Sequence, residues 1–400
     1  MKNRPRCQIS VETESIRRAI KSTSLDTSPG PDGVLIRTIK FFNIDHVIKR
    51  ITKIMLKVAY VPEPLRRGRT ILIYKGKGDA NNISSWRPIS IYSIVRRISE
   101  KVLDCELRKQ VTFHRNQRGF IKGLPGAHVN ARIIDEILKD ARSKKSNCAV
   151  VFLDVVGAFD NVGHDHIVSS LKARGVSPDL GNVISALLTM NNIKINVGAH
   201  STSQIRVKRG VPQDGALSSS LFNLAIDHLY RDLCEQSFVS KYGYKLNSDQ
   251  GCVVLTGFAD YQAVSSCDRV AAERVIDSVQ RTFKEIGLAL NPQKSVGIVI
   301  NKGELESTKL SLENGDSILT MKEGDTIKYL GCTFSGELQF NEDSMTKFNM
   351  NLDKLVTSCL LKPEQKVNIV NQYVFSGLNT LSRLLPSQSY VQKSWMASTQ

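Results

Sequence analysis

Two acidic residues stand out because each closes an apolar run: Asp154 follows Cys148-Ala149-Val150-Val151-Phe152-Leu153, and Asp260 follows Val253-Val254-Leu255-Thr256-Gly257-Phe258-Ala259. A carboxylate at the end of a buried strand is held rigidly yet stays near solvent, as an oxygen ligand for magnesium must. Asp is also a common turn residue, and either position alone reads that way. Their neighbourhoods favour chemistry. The first acid is followed by Val155-Val156-Gly157-Ala158-Phe159-Asp160, and the second by Tyr261. Between them lies Arg209-Gly210-Val211-Pro212-Gln213-Asp214-Gly215-Ala216-Leu217-Ser218, and beyond them Gly287-Leu288-Ala289-Leu290-Asn291-Pro292-Gln293-Lys294-Ser295 and Tyr329-Leu330-Gly331. Upstream stand Arg87-Pro88-Ile89-Ser90 and Gln117-Arg118-Gly119-Phe120.

The elements that must position these residues follow from periodicity. Residues 148–153 are continuously apolar and β-branched, which predicts a strand buried on both faces. Residues 252–255 and 263–264 predict two strand halves around Asp260, and 296–300 another strand. Thr70 to Tyr74 reads as a short strand, Lys75 to Asn82 as a turn, and 193–207 as a hairpin. Helical spacing predicts helices over 11–25, 35–59, 90–110, 127–142, 217–235 and 270–286, with further helical segments at 168–171 and 183–188. Ser28-Pro29-Gly30-Pro31-Asp32-Gly33 is a loop by its chemistry. A β segment around 317–334 precedes helices at about 343–361 and 364–378.

In this order the segments resemble the palm and fingers of a reverse transcriptase, and more narrowly the non-LTR (LINE-type) retrotransposon enzymes that insert into ribosomal RNA genes. The likeness spans roughly residues 25–385. It implies an α+β, right-hand polymerase fold: an N-terminal extension (1–24), a basic fingers region (25–147), a palm with an antiparallel sheet and interleaved fingers segments (148–335), and a helical thumb with a short tail (336–400). It implies an RNA-directed DNA polymerase that uses two Mg²⁺ ions, an RNA template, a DNA primer or target, and deoxynucleoside triphosphates. Asp154 and Asp260 match the metal-binding carboxylates, with the Val155 carbonyl on the nucleotide-bound ion. Phe159 matches the bulky gate against a ribose 2′-hydroxyl, Gln213 the glutamine beside the incoming nucleotide, and Lys294 the general acid for pyrophosphate. Arg69, Lys75 and Arg87 match the cations that grip the triphosphate. Asp160 matches an acid that does not bind metal and reads as a helix N-cap.

Two positions depart from the family pattern. Where it has Phe/Tyr-Ala-Asp-Asp, this chain has Phe258-Ala259-Asp260-Tyr261, one carboxylate fewer in a site that must balance about four positive charges. Where it has Gln-Gly-Asp-Pro or Gln-Gly-Ser-Pro, the chain has Gln213-Asp214-Gly215-Ala216, with a negative charge beside the triphosphate. Both weaken the site, so the expectation is an impaired polymerase. The alternative is an inactive fragment that retains only nucleic-acid binding.

The chain has 400 residues and a net charge of +17. Residues 1–150 hold 31 Lys and Arg against 13 Asp and Glu, so the excess lies there and the remainder is near neutral. That points to a polyanionic partner, with basic clusters such as Arg66-Arg67, Arg96-Arg97 and Arg108-Lys109 as the grip. No apolar run approaches the roughly 18 residues of a membrane span, and residues 1–10 contain no apolar signal core. Eight scattered cysteines form no CxxC pair, which suits a reduced, intracellular protein whose cysteines are mostly core residues. The family implies a nuclear location. Related full-length proteins carry zinc fingers and a nuclease whose metal-spaced Cys and His are missing here, so the expectation is a degenerate, truncated copy.

Overall fold

Residues 148–153 form a strand with every residue buried, and its alternating side chains enter two different cores. Ala149, Val151 and Leu153 join the core that includes Val275, Val279 and Phe283. Cys148, Val150 and Phe152 join the one that includes Ile134, Ile137 and Leu138. The strand is therefore sandwiched between the helices Arg269–Glu285 and Ala127–Ser143. The computed structural model describes residues 9–76, 78–121, 126–198, 200–213, 215–246 and 251–335, with the backbone of 338–339.

That strand is central in a seven-stranded sheet. The order is Lys309–Ser311, Ser317–Thr320, Val296–Asn301, Cys148–Leu153, Tyr261–Ser266 and Leu255–Phe258, with Glu304–Leu305 also paired to Val296–Asn301. The pairs are antiparallel except Val296–Asn301 with Ser317–Thr320. A smaller sheet runs Trp86–Tyr92, Arg67–Tyr74, Asn192–Val197, His200–Ser201, with Ile205–Arg206 on the same third strand. Arg67–Tyr74 and Asn192–Val197 pair in parallel across more than a hundred residues of sequence.

Several boundaries differ from the periodicity. The 35–59 stretch is two helices, Ile36–Phe42 and Asp45–Val58, because Asn43 is left-handed (φ 49°) and ends the first. The helix predicted from 90 starts at Ile94. Ser90 belongs to the strand, opposite Thr70, where the two hydroxyls hydrogen-bond at 2.8 Å. Only Cys148 and Cys332 of the six described cysteines are buried; Cys105 is exposed and the other three are half-buried. The helices expected after 342 lie outside the described residues. Among those described, no helix is long and apolar enough to cross a membrane.

Arg96, assigned above to the basic grip, is 1% exposed. Its guanidinium donates to Glu100 Oε1 at 2.7 Å, Asn191 Oδ1 at 2.6 Å and the Leu65 and Leu187 carbonyls at 3.1 and 3.3 Å. It also lies 3.9 Å from the Tyr92 ring centroid. A charge so saturated joins the helix Ile94–Gln110 to its neighbours and is unavailable to a phosphate.

Candidate active site

Asp154 lies one residue beyond the central strand, and its backbone is tied on both sides. Its N–H donates to Ser295 Oγ at 3.0 Å, and its carbonyl accepts the Asn291 N–H at 2.8 Å. Val156 N–H donates to the Ala289 carbonyl at 2.9 Å, which makes Val155 and Leu290 a non-hydrogen-bonded antiparallel pair. In such a pair the residue's own N–H and C=O point away from the partner. The Val155 carbonyl is thus off that ladder. Lys294 is exposed in the turn that closes back on Asp154, its N–H directed to Asn291.

Asp260 occupies a two-residue hairpin turn between Phe258 and Tyr261, which pair with each other. Ala259, the first turn residue, has φ 57°, a conformation usually left to glycine. Two buried glutamines hold it. Gln117 Oε1 accepts the Ala259 N–H at 2.9 Å, and Gln117 Nε2 donates to the Ala259 carbonyl at 3.1 Å. Gln262 Nε2 donates to the same carbonyl at 2.7 Å, while Gln262 Oε1 accepts from the buried Tyr230 hydroxyl. Gln117 acts as a side-chain substitute for a neighbouring strand.

The hairpin's register brings the two acids together. Gln262 pairs with Leu153, so the turn emerges beside Asp154. Desolvation raises the Asp260 carboxyl above the usual carboxylate range; its own backbone N–H pulls it part of the way back, and the Asp154 charge adds to the rise. Two carboxylates that repel each other, flanked by an off-ladder carbonyl, are an oxygen donor set suited to a hard divalent cation. Among the described residues no cluster of three or more His, Cys, Asp or Glu could hold a metal. The set is two carboxylates deep. Tyr261 begins the returning strand rather than occupying the turn, and its side chain is 52% exposed.

Phe159 stacks on Phe222 with centroids 4.8 Å apart, and Phe120 meets it edge-on at 6.3 Å. Gln213 Nε2 donates to both carboxylate oxygens of Asp160 at 3.0 and 3.1 Å. Asp160 is therefore not an N-cap: it lies within the short helix Ala158–Asn161, which starts after the left-handed Gly157. Partial burial raises its carboxyl, and the Gln213 amide and the Lys75 charge pull it back. Lys75 directly follows the strand Arg67–Tyr74, and its Nζ donates to the Ser84 carbonyl at 2.7 Å. Arg87 is exposed and pairs across from Ile73. Arg69 shares that face but turns elsewhere, donating to the Pro29 carbonyl at 3.1 Å. Asp214 lies outside the described residues. Sequence reasoning missed the clamp of Gln117 and Gln262; neither residue interrupts an apolar run, and both bonds depend on the folded approach of the Ala259 turn.

The family profile described as "Reverse transcriptase (RNA-dependent DNA polymerase)" matches residues 74–334. The chain belongs to the reverse transcriptase family. The matched span contains every strand of the seven-stranded sheet. Family polymerases of this kind use divalent metal ions. Among its relatives, the Pol polyprotein of a type-1 R2 retrotransposable element from Popillia japonica is 30% identical over 375 residues, covering 92% of this chain and 51% of that one. The Drosophila melanogaster type-2 element R2DM polyprotein is 28% identical over 361 residues, covering 89% of this chain and 33% of that one. The reverse transcriptase thus spans about half or less of these non-LTR polyproteins' length. A solved Candida tropicalis telomerase overlays with a TM-score of 0.49 at 11% identity, over 85% of this chain and 55% of that one.

Proposed function

We propose that this chain is the RNA-directed DNA polymerase domain of a non-LTR retrotransposon, built for target-primed reverse transcription and weakened in this copy at Tyr261 and Asp214. The observation that carries the reading is the pairing of Asp154 with Asp260 at adjacent strand ends, close enough for one charge to raise the pKa of the other. These two carboxylates and the Val155 carbonyl would hold two Mg²⁺ ions, which lower the pKa of a primer 3′-hydroxyl and neutralise the leaving pyrophosphate when bound. In the transfer, the 3′-oxygen forms a bond to the α-phosphorus of a deoxynucleoside triphosphate and the α–β bridging bond breaks. Lys294, exposed beside Asp154, is suited to give the pyrophosphate its proton. Phe159, packed on Phe222, closes the space of a 2′-hydroxyl, and Gln213, held by Asp160, supports the nucleotide. Lys75 and Arg87 supply cations on the fingers side; Arg69, turned to Pro29, must swing to join them.

The acid that Tyr261 replaces would have been a further charge next to Asp260, at the start of the returning strand, so the site binds cations more weakly. Primer extension on an RNA template with Mg²⁺ tests this. Weak extension by the natural chain, at least about ten-fold faster extension by Tyr261→Asp, and none by Asp154→Asn are expected. Equal rates for the natural chain and Tyr261→Asp would remove the case for impairment. Retained RNA binding with no extension by Tyr261→Asp would leave the binding-only reading, which the two departures also favour. The element's site of action, at ribosomal RNA genes in the nucleus, belongs to the same proposal.

A further inference from the structure

Phe120 is the only aromatic residue with left-handed backbone among the described residues (φ 59°), and it is 53% exposed. An L-residue with a large side chain resists this conformation, and half-exposure forfeits much of the return from burying a ring. Glycine or asparagine would suit the backbone better. The surroundings nevertheless impose the conformation. Asn223 Nδ2 donates to the Gly119 carbonyl at 2.7 Å, Gly119 N–H donates to Gln117 Oε1 at 2.9 Å, and Arg108 Nη1 donates to the Phe120 carbonyl at 2.9 Å. Gly119 abuts the Asp260 turn so closely that a Cβ there would lie 2.1 Å from the Ala259 nitrogen. The segment is thereby fixed to the hairpin that carries Asp260. What it presents is a ring set edge-on to Phe159 (6.3 Å, 85°) and 6.2 Å from Phe258, on a contact separate from the Phe159–Phe222 stack.

We infer that Phe120 is a specificity-determining residue: with Phe222 it confines the Phe159 ring and forms a second wall of the nucleotide sugar pocket. This rests on the reading of Phe159 as the sugar gate. A Phe159 ring held by Phe222 alone can tilt and admit a 2′-hydroxyl; one also braced by Phe120 cannot. The strain at Phe120 serves the pocket, not the fold.

Equilibrium binding of Mg²⁺-dUTP and Mg²⁺-UTP, which differ only at the 2′ position, to the chain on a dideoxy-terminated primer and RNA template tests this without requiring turnover. Phe120→Gly is expected to keep or raise the melting temperature and to lower dUTP-over-UTP preference by about ten-fold, with Phe120→Tyr near the natural preference. A folded Phe120→Gly chain with unchanged preference overturns the inference, as does a melting temperature several degrees lower, which would mark Phe120 as a packing residue. Phe159→Val separates the two readings. If it abolishes preference while Phe120→Gly does not, only the role of Phe120 fails; if it leaves preference intact, the gate reading fails and the inference with it. A natural chain that binds neither nucleotide overturns both.

Discussion

Asp260 carries its carboxyl half-buried beside Asp154, and its raised pKa has consequences of definite sign. The folded state holds the proton more tightly than the unfolded chain, so stability falls as pH climbs from the ordinary carboxylate pKa through the raised folded one. Above that folded pKa the repulsion is fully present. Asp154→Asn is therefore expected to lower the Asp260 pKa, read by carboxyl NMR titration, and to raise the melting temperature at pH 7 by one to a few degrees while abolishing primer extension. A lower melting temperature would mean that the Asp154 carboxylate stabilises the site. Tyr261→Asp runs the other way: a further charge raises the Asp260 pKa again, and the acid limb of extension moves to higher pH. Both acids were legible as residues because each ends an apolar run. That Tyr261 starts a strand was not, since the turn is set by pairing with Phe258.

The hairpin and the helix Ile94–Gln110 show how elements are held by polar groups that periodicity does not reveal. Gln117 reaches Ala259 across 142 residues of sequence. Gln117→Ala would leave the Ala259 N–H buried without this acceptor, at a cost of about 1–3 kcal/mol. Denaturant unfolding should show that loss, and kcat should fall more than nucleotide affinity because the displaced group is the Asp260 turn. Around Arg96, removing the partner is costlier. Glu100→Ala leaves a buried guanidinium uncompensated and is expected to destabilise by roughly 3–5 kcal/mol, measured by the same unfolding and with little salt dependence. A cost under about 1 kcal/mol would mean that Asn191 and the carbonyls suffice. The strand Cys148–Leu153 was readable to the residue because burial on both faces demands an unbroken apolar run. Which strands would flank it was not, because strand order is decided by the packing of distant segments.

For the whole molecule, the charge excess in residues 1–150 predicts salt-dependent, largely sequence-blind RNA binding. Affinity measured by fluorescence anisotropy is expected to drop at least about a hundred-fold between about 50 and about 200 mM salt, and to survive Asp154→Asn. A flat salt response would detach the basic excess from nucleic acid. Not every cation contributes: Arg96 is internal, Arg108 donates to Asp104 and the Phe120 carbonyl, and Arg67 to Glu63. The sequence by itself determined the family, the two carboxylates and the basic first third, because motif order and charge are properties of the chain. Only the tertiary structure decided that Gln117 and Gln262 hold the Asp260 turn, that Arg69 faces Pro29, that Arg96 is interior and that Phe120 stands exposed in a left-handed backbone. Each of these depends on contacts between residues far apart in sequence, and a residue's type does not reveal which distant group will reach it.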